Sequence, residues 1–193
     1  MRLPEVERGS SFGNRLLIGF ISTVMRMRLP DAARVAFYHK DFGRPIGAWT
    51  HAAMRGSSSW TIGERELMAA MVAKWNSCEF CVGAHSAVAA KQLARPTIDQ
   101  TLADYRAAPI TNGLRATLGF LEKMTLHPAD LSAEDARTVL RAGVTSEALT
   151  DAIAVASAFN IVTRYADALD FAIPSPSEFE KAGDMLLKRG YRS

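Results

Sequence analysis

An all-α fold, a compact multi-helix bundle in one domain over residues 1–193, is what this sequence predicts, and three observations predict it. Alternating Val/Ile/Thr segments are missing, while Ala, Leu, Met, Glu and Arg dominate the chain. Capping signals open its apolar segments: Thr61 with Glu64, Ser132 in LSAED, and Ser175 with Glu178, where Pro176 takes the favoured first helical position. Prolines at 30, 45, 96, 109, 128 and 174 interrupt helices or mark the loops between them.

Read in order, these signals place helices near 12–27, 30–39, 45–55, 62–76, 79–94, 98–106, 111–125, 132–142, 146–170 and 177–188. The first follows from LLIGFISTVM at 16–25, bracketed by Arg15 and Arg26. The fourth starts at the Thr61 box, the eighth at Ser132 and the last at Ser175. No linker, low-complexity tract or repeat divides the chain, so antiparallel helix pairs in one bundle are the natural outcome.

Composition narrows the function. At 21.0 kDa and 48% hydrophobic residues, the chain can bury a real core. Its net charge of +3 is concentrated in residues 1–55, with nine Lys/Arg against four Asp/Glu, but the basic residues stand singly. Nothing tracks phosphates, so no nucleic acid is expected. The 16–25 stretch is too short to span a bilayer, and Glu5 and Glu7 stand where a signal peptide would be basic. No membrane association is expected, and the chain reads as cytoplasmic. Two cysteines three residues apart do not make a secreted disulfide scaffold.

Helix 62–76 is apolar nearly all round, which predicts burial. Glu64 has a local task in the capping box. Glu66 has no local backbone donor, and a carboxylate in a buried helix must be paired or have a raised pKa, the setting of a general base. Its structural alternative is an ion pair with a residue such as Arg164. Ala69, Ala70 and Ala73 give this helix a small-residue strip. The next helix offers a matching one in Gly83, Ala84, Ala87 and Ala90, which would bring Glu66 beside the cysteines.

KWNSCEFCVGAH, residues 74–85, carries both cysteines. Residues three apart on a helix have Cα atoms about 5 Å apart, within the roughly 4.4–6.8 Å a disulfide accepts. Asn76 or Ser77 can cap the helix, leaving Cys78 at its positive end, where a thiol pKa falls. His85 lies one turn beyond Cys81 on the same face. A zinc site would find three ligands in Cys78, Cys81 and His85 but no fourth at a recognisable spacing, since His39, His51 and His127 are scattered. A thioredoxin-type pair should follow a strand, and the context here is helical. An inert buried pair is the plain alternative. His85 in register and Glu66 upstream weigh against it.

Glu66, eleven intervening residues, then Cys78-x-x-Cys81-x-x-x-His85 resembles the AhpD-like alkylhydroperoxidase branch of the carboxymuconolactone decarboxylase family. MRGSSSWTIGERE at 54–66 is similar to the start of this region in its peroxidase-related members, and FNIVTRYADAL at 159–169 to the family's FN..NR.AD segment, with Thr163 in place of the usual Asn. The likeness spans roughly residues 30–172. It implies an AhpD-like bundle that assembles as trimers or hexamers and reduces small hydroperoxides with electrons from an external lipoyl- or thioredoxin-type dithiol, without cofactor or metal. It further implies Cys81 as the peroxidatic cysteine, Cys78 as the resolving one, and His85 with Glu66 as the proton relay. The helix-end argument alone would favour Cys78 as the more acidic thiol. A redox-sensing oligomer and a decarboxylase that uses no thiol are the alternative functions.

Asn160, Arg164 and Asp167 share one helical face and suit either a pocket wall or a buried polar network. Trp49, His51 and Trp60 suit either a substrate entrance or the core. An oligomer is also expected because the 16–25 stretch and the apolar helices exceed what one small domain covers.

Overall fold

The computed structural model describes residues 1–38 and 40–191. His39 lies outside the described residues. Among the described residues 75% are helical and none lies in a strand. Its helices are α1 (Pro4–Arg8), α2 (Phe12–Met25), α3 (Asp31–Tyr38), α4 (Lys40–Arg55), α5 (Ile62–Trp75), α6 (Glu79–Ala89), α7 (Arg95–Asp104), α8 (Asn112–Leu126), α9 (Ala133–Arg141), α10 (Ser146–Leu169) and α11 (Pro176–Arg189).

The local starts fall where the capping residues stand. Thr61 Oγ1 accepts from the Glu64 amide at 3.1 Å while Glu64 Oε2 accepts from the Thr61 amide at 2.9 Å. Ser132 with Asp135 and Ser175 with Glu178 close the same box. Two boundaries differ from the sequence expectation. Pro45 lies inside α4 rather than at its start. The stretch expected as one helix over 79–94 ends at Ala89, and α7 begins at Arg95 with Pro96 in its first turn. The short α1, opened by Pro4, was not anticipated.

The centre of the bundle is α5, whose residues 65–73 are all buried. It packs most extensively on α6, then on α10 and α8. The fully buried Ala152, Ala156 and Ala158 of α10 keep that crossing close, around a core of Met54, Leu67, Met68, Leu118, Leu121 and Phe159.

The small strip on α6 faces a different partner from the one expected. A Cβ added at Gly83 would lie 2.5 Å from the ring of Phe179 in α11, and one at Gly183 would lie 3.3 Å from the backbone of Ala87. Gly83 and Ala87 therefore serve the α6–α11 crossing, whereas Ala69 and Ala73 of α5 are buried in the two hydrophobic clusters.

α2 stands apart from this packing. Phe12, Leu16, Phe20 and Val24, four residues apart, are 76%, 60%, 67% and 66% exposed and form an uncovered apolar stripe. Among the described residues, no helix is long and apolar enough to cross a membrane.

Candidate functional site

The cysteines sit where α5 ends and α6 begins. Ser77 takes the left-handed conformation (φ 60°) after Asn76, the last cap of α5. The Ser77 amide donates to Lys74 O and the Cys78 amide to Ala73 O, both at 2.9 Å. These two bonds form a Schellman ending, so Cys78 is pinned as the residue that closes α5. It is also the N-cap of α6, with an extended backbone (φ −92°, ψ 93°). Cys78 is therefore not helical, contrary to the expected pair within one helix, and Asn76 and Ser77 end α5 rather than capping α6.

This placement explains the contact between the sulfurs. In a capping box the N-cap side chain meets the third helical residue, and in α6 that residue is Cys81. Two thiols occupy the places usually held by a hydroxyl and a carboxylate, and the residues approach to 3.3 Å. Both are free and buried, at 1% and 2% exposure. Val6, Val35, Ala73, Phe80, Leu169 and Phe171 surround them. The hydrogen bond to Cys78, burial, and the charges of Cys78 and Asp167 push the Cys81 thiol well above its ordinary pKa.

One turn farther along α6, His85 meets the carboxylate expected from sequence. Its Nδ1 lies 2.7 Å from Glu66 Oε2, with both side chains buried. Glu66 Oε1 takes an ion pair from Arg55 Nη2 at 2.7 Å. The hydroxyl of Tyr191 donates to the same carboxylate, 2.8 Å from Oε1 and 3.0 Å from Oε2, and stands 3.3 Å from His85 Nδ1. Burial alone would raise the Glu66 pKa. The hydrogen bond from His85, the charge of His85 and the Arg55 ion pair outweigh it and hold the carboxyl below its ordinary value. Glu66 is thus a fixed anion. Facing an anion, His85 donates from Nδ1, which leaves Nε2 as the nitrogen that can exchange a proton. Among the described residues no hydrogen bond yet joins His85 to Cys81, whose Cβ lies about 5–6 Å away by helical spacing.

The partner of Glu66 is Arg55 and not Arg164, which is exposed, as is Asp167. Asn160 belongs to a polar lock: Asn76 Nδ2 donates to Asn160 Oδ1 at 2.9 Å and to Thr163 Oγ1 at 3.1 Å, and Asn160 Nδ2 donates to Thr125 Oγ1. Trp60 is core, its Nε1–H bound to Ala148 O at 2.7 Å, while Trp49 is 38% exposed. His51 accepts from the Tyr191 amide at 3.2 Å. Sequence reading missed the roles of Arg55 and Tyr191. Arg55 lay in the MRG segment and could have been weighed as a partner. Tyr191 carried no signal, since it lies beyond the matched stretch.

No family model and no curated protein matches the sequence. Among solved structures, the chain is similar to an uncharacterized peroxidase-related protein from Silicibacter sp. TM1040 (TM-score 0.74, 23% identity, 88% of each chain). It is also similar to an alkylhydroperoxidase AhpD core protein, peroxidase-related, from Ralstonia eutropha JMP134 (TM-score 0.73, 24% identity, 95% of each chain). A third structure is the debrominase Bmp8, a Cys-to-Ala variant in complex with 2,3,4-tribromopyrrole (TM-score 0.69, 15% identity, 88% of this chain and 90% of that one).

Proposed function

From the AhpD-like fold that the chain shares with these structures, we propose that it is a thiol peroxidase reducing small hydroperoxides through Cys81 and Cys78. One observation carries the reading: two touching thiols stand at the head of a helix, one turn before a histidine oriented by a buried carboxylate. His85 Nε2 takes the Cys81 proton, and Glu66 stabilises the resulting imidazolium. The thiolate attacks the distal peroxide oxygen, so an S–O bond forms as the O–O bond breaks. The leaving alkoxide takes the proton from His85 and departs as alcohol. The Cys78 thiol then attacks the sulfenic sulfur, so an S–S bond forms as the S–O bond breaks, and the thiol proton joins the departing hydroxide as water. An external dithiol of lipoyl or thioredoxin type returns two electrons by thiol–disulfide exchange. A cytoplasmic setting would keep such a pair reducible.

Titration with one equivalent of cumene hydroperoxide should consume two thiols per chain, restored by dihydrolipoamide. Retention of both thiols sinks the reading in favour of the non-thiol alternative. A loss of both thiols with no sustained turnover on any dithiol points to a sensor.

The same proposal includes a homo-oligomer, a trimer or hexamer, with the exposed stripe of α2 covered by another copy. Light scattering should return a multiple of 21.0 kDa, reduced by Phe20→Glu. A wild-type monomer at micromolar concentration counts against it.

A further inference from the structure

The C-terminal segment is folded back onto the relay by a turn that only glycine accommodates. α11 runs along α6, and its last amide bond is Gly190 N–H to Leu186 O at 2.9 Å. Gly190 has φ 66°, and a Cβ there would lie 2.5 Å from the His51 imidazole. A side chain would be strained by its backbone and blocked by that ring. The turn delivers Tyr191 to the buried face of α5. Arg55 secures it from the other side: Nη2 donates to Leu186 O at 3.1 Å, and the guanidinium lies 5.1 Å from the Tyr191 ring centroid. The ring also stacks near His85, centroids 6.2 Å apart, and meets Phe159 edge-on at 6.4 Å.

We propose that Tyr191 is a positioning residue of the proton relay, its phenol fixing the Glu66 carboxylate and, through it, His85 as the Nδ1–H form. The inference rests on the peroxidase reading for its catalytic meaning. The phenol has one proton and reaches both carboxylate oxygens, so it drains charge from Glu66 at the point where His85 binds. Burial, and then the charge of Glu66, keep the phenol protonated and hence a donor.

The groups acting on His85 are Glu66 from α5, Arg55 from α4 with His51 of the same helix beside Tyr191, Tyr191 from the C-terminal turn, and Cys81 and Cys78 at the head of its own helix. The wall from α10 is the apolar Phe159. Removing the Tyr191 proton leaves Glu66 more negative toward His85, so the imidazolium is favoured over the neutral base. At neutral pH more of the base is then already protonated.

Tyr191→Phe keeps the ring and its packing. Its expected signature is a larger imidazolium share of His85 at neutral pH than in wild type, read from the imidazole nitrogen shifts by NMR. The acid limb of peroxide turnover should move with it. The rate near pH 7 should fall about tenfold, in kcat more than in KM, and recover at higher pH. A mere packing defect would not recover. Replacing Tyr191 alone by 3-fluorotyrosine, a stronger donor of nearly the same size, should move the imidazolium share the opposite way, which keeps the inference testable if Tyr191→Phe folds poorly. An unmoved imidazolium share in both variants overturns the inference. The NMR reading needs no peroxide, so failure of the peroxidase reading would show separately, in the thiol count.

Discussion

Cys81→Ser should abolish peroxide turnover, a loss on the order of 10³-fold or more, while leaving the fold intact. A serine hydroxyl is nearly isosteric, but its oxygen cannot be oxidised to a sulfenate and reduced again, so the chemistry loses its acceptor of oxygen. Cys78→Ser should behave differently. It removes the charge of Cys78, and the serine hydroxyl, which does not ionise, can donate to the Cys81 sulfur, so the Cys81 pKa should fall toward its ordinary value. The first oxidation should then become faster at neutral pH, and the sulfenic acid should persist long enough for dimedone to trap it at Cys81. Sustained turnover should stop, because no thiol remains to resolve it. The reverse pattern, with Cys78→Ser unreactive and Cys81→Ser trapped as a sulfenate, would assign the attacking role to Cys78. Its place at the positive end of α6 gives that outcome a physical basis.

What the sequence disclosed follows the range of the interactions involved. The Thr61 box is a contact between residues three apart, and both of its hydrogen bonds are present as read. The separation of Glu64 from Glu66 is legible for the same reason: one carboxylate has a local donor within reach and the other does not. The i, i+4 relation of Cys81 and His85 needs only that α6 be a helix. Long-range partners are another matter. Gly83 and Ala87 announced a close helix approach, but the pattern of small residues does not say which helix fills it: α11 does, although α5 is the helix packed most extensively on α6. Arg55 and Arg164 were equally available to a buried carboxylate on paper. Only the path of α4 past α5 selects the first. The backbone of Cys78 depends on the left-handed Ser77, which has a side chain and so lacks the glycine signature of such a turn. Tyr191 reaches Glu66 across 125 positions by way of a glycine turn, and no local pattern encodes that.

Glu66→Gln should lower peroxide turnover by about 10²–10⁴-fold, the span of general acid–base losses, whereas Glu64→Gln should leave it nearly unchanged. The Glu66 substitution is more than a loss of a proton partner. The amide turns hydrogen-bond donors toward Arg55 and His85, which are donors themselves, and it leaves the guanidinium, 8% exposed, without its counter-charge. Breaking one side of a buried pair costs about 3–5 kcal/mol, so the variant should melt lower while still folding at reduced temperature. Its acid behaviour should also change. The folded-state pKa of Glu66 is below its ordinary 4.5, so the stability it contributes is fully present above that value and is lost as pH falls through the lowered one. Wild type should therefore lose Tm on the acid side through this group, and Glu66→Gln should show a lower neutral Tm with a shallower acid decline. By contrast, Glu64→Ala should cost about 1 kcal/mol through the cap alone, with turnover of the folded protein preserved. Turnover normalised to the folded fraction by circular dichroism separates the two effects. An active Glu66→Gln beside an inactive Glu64→Gln would reverse the assignment of the two carboxylates.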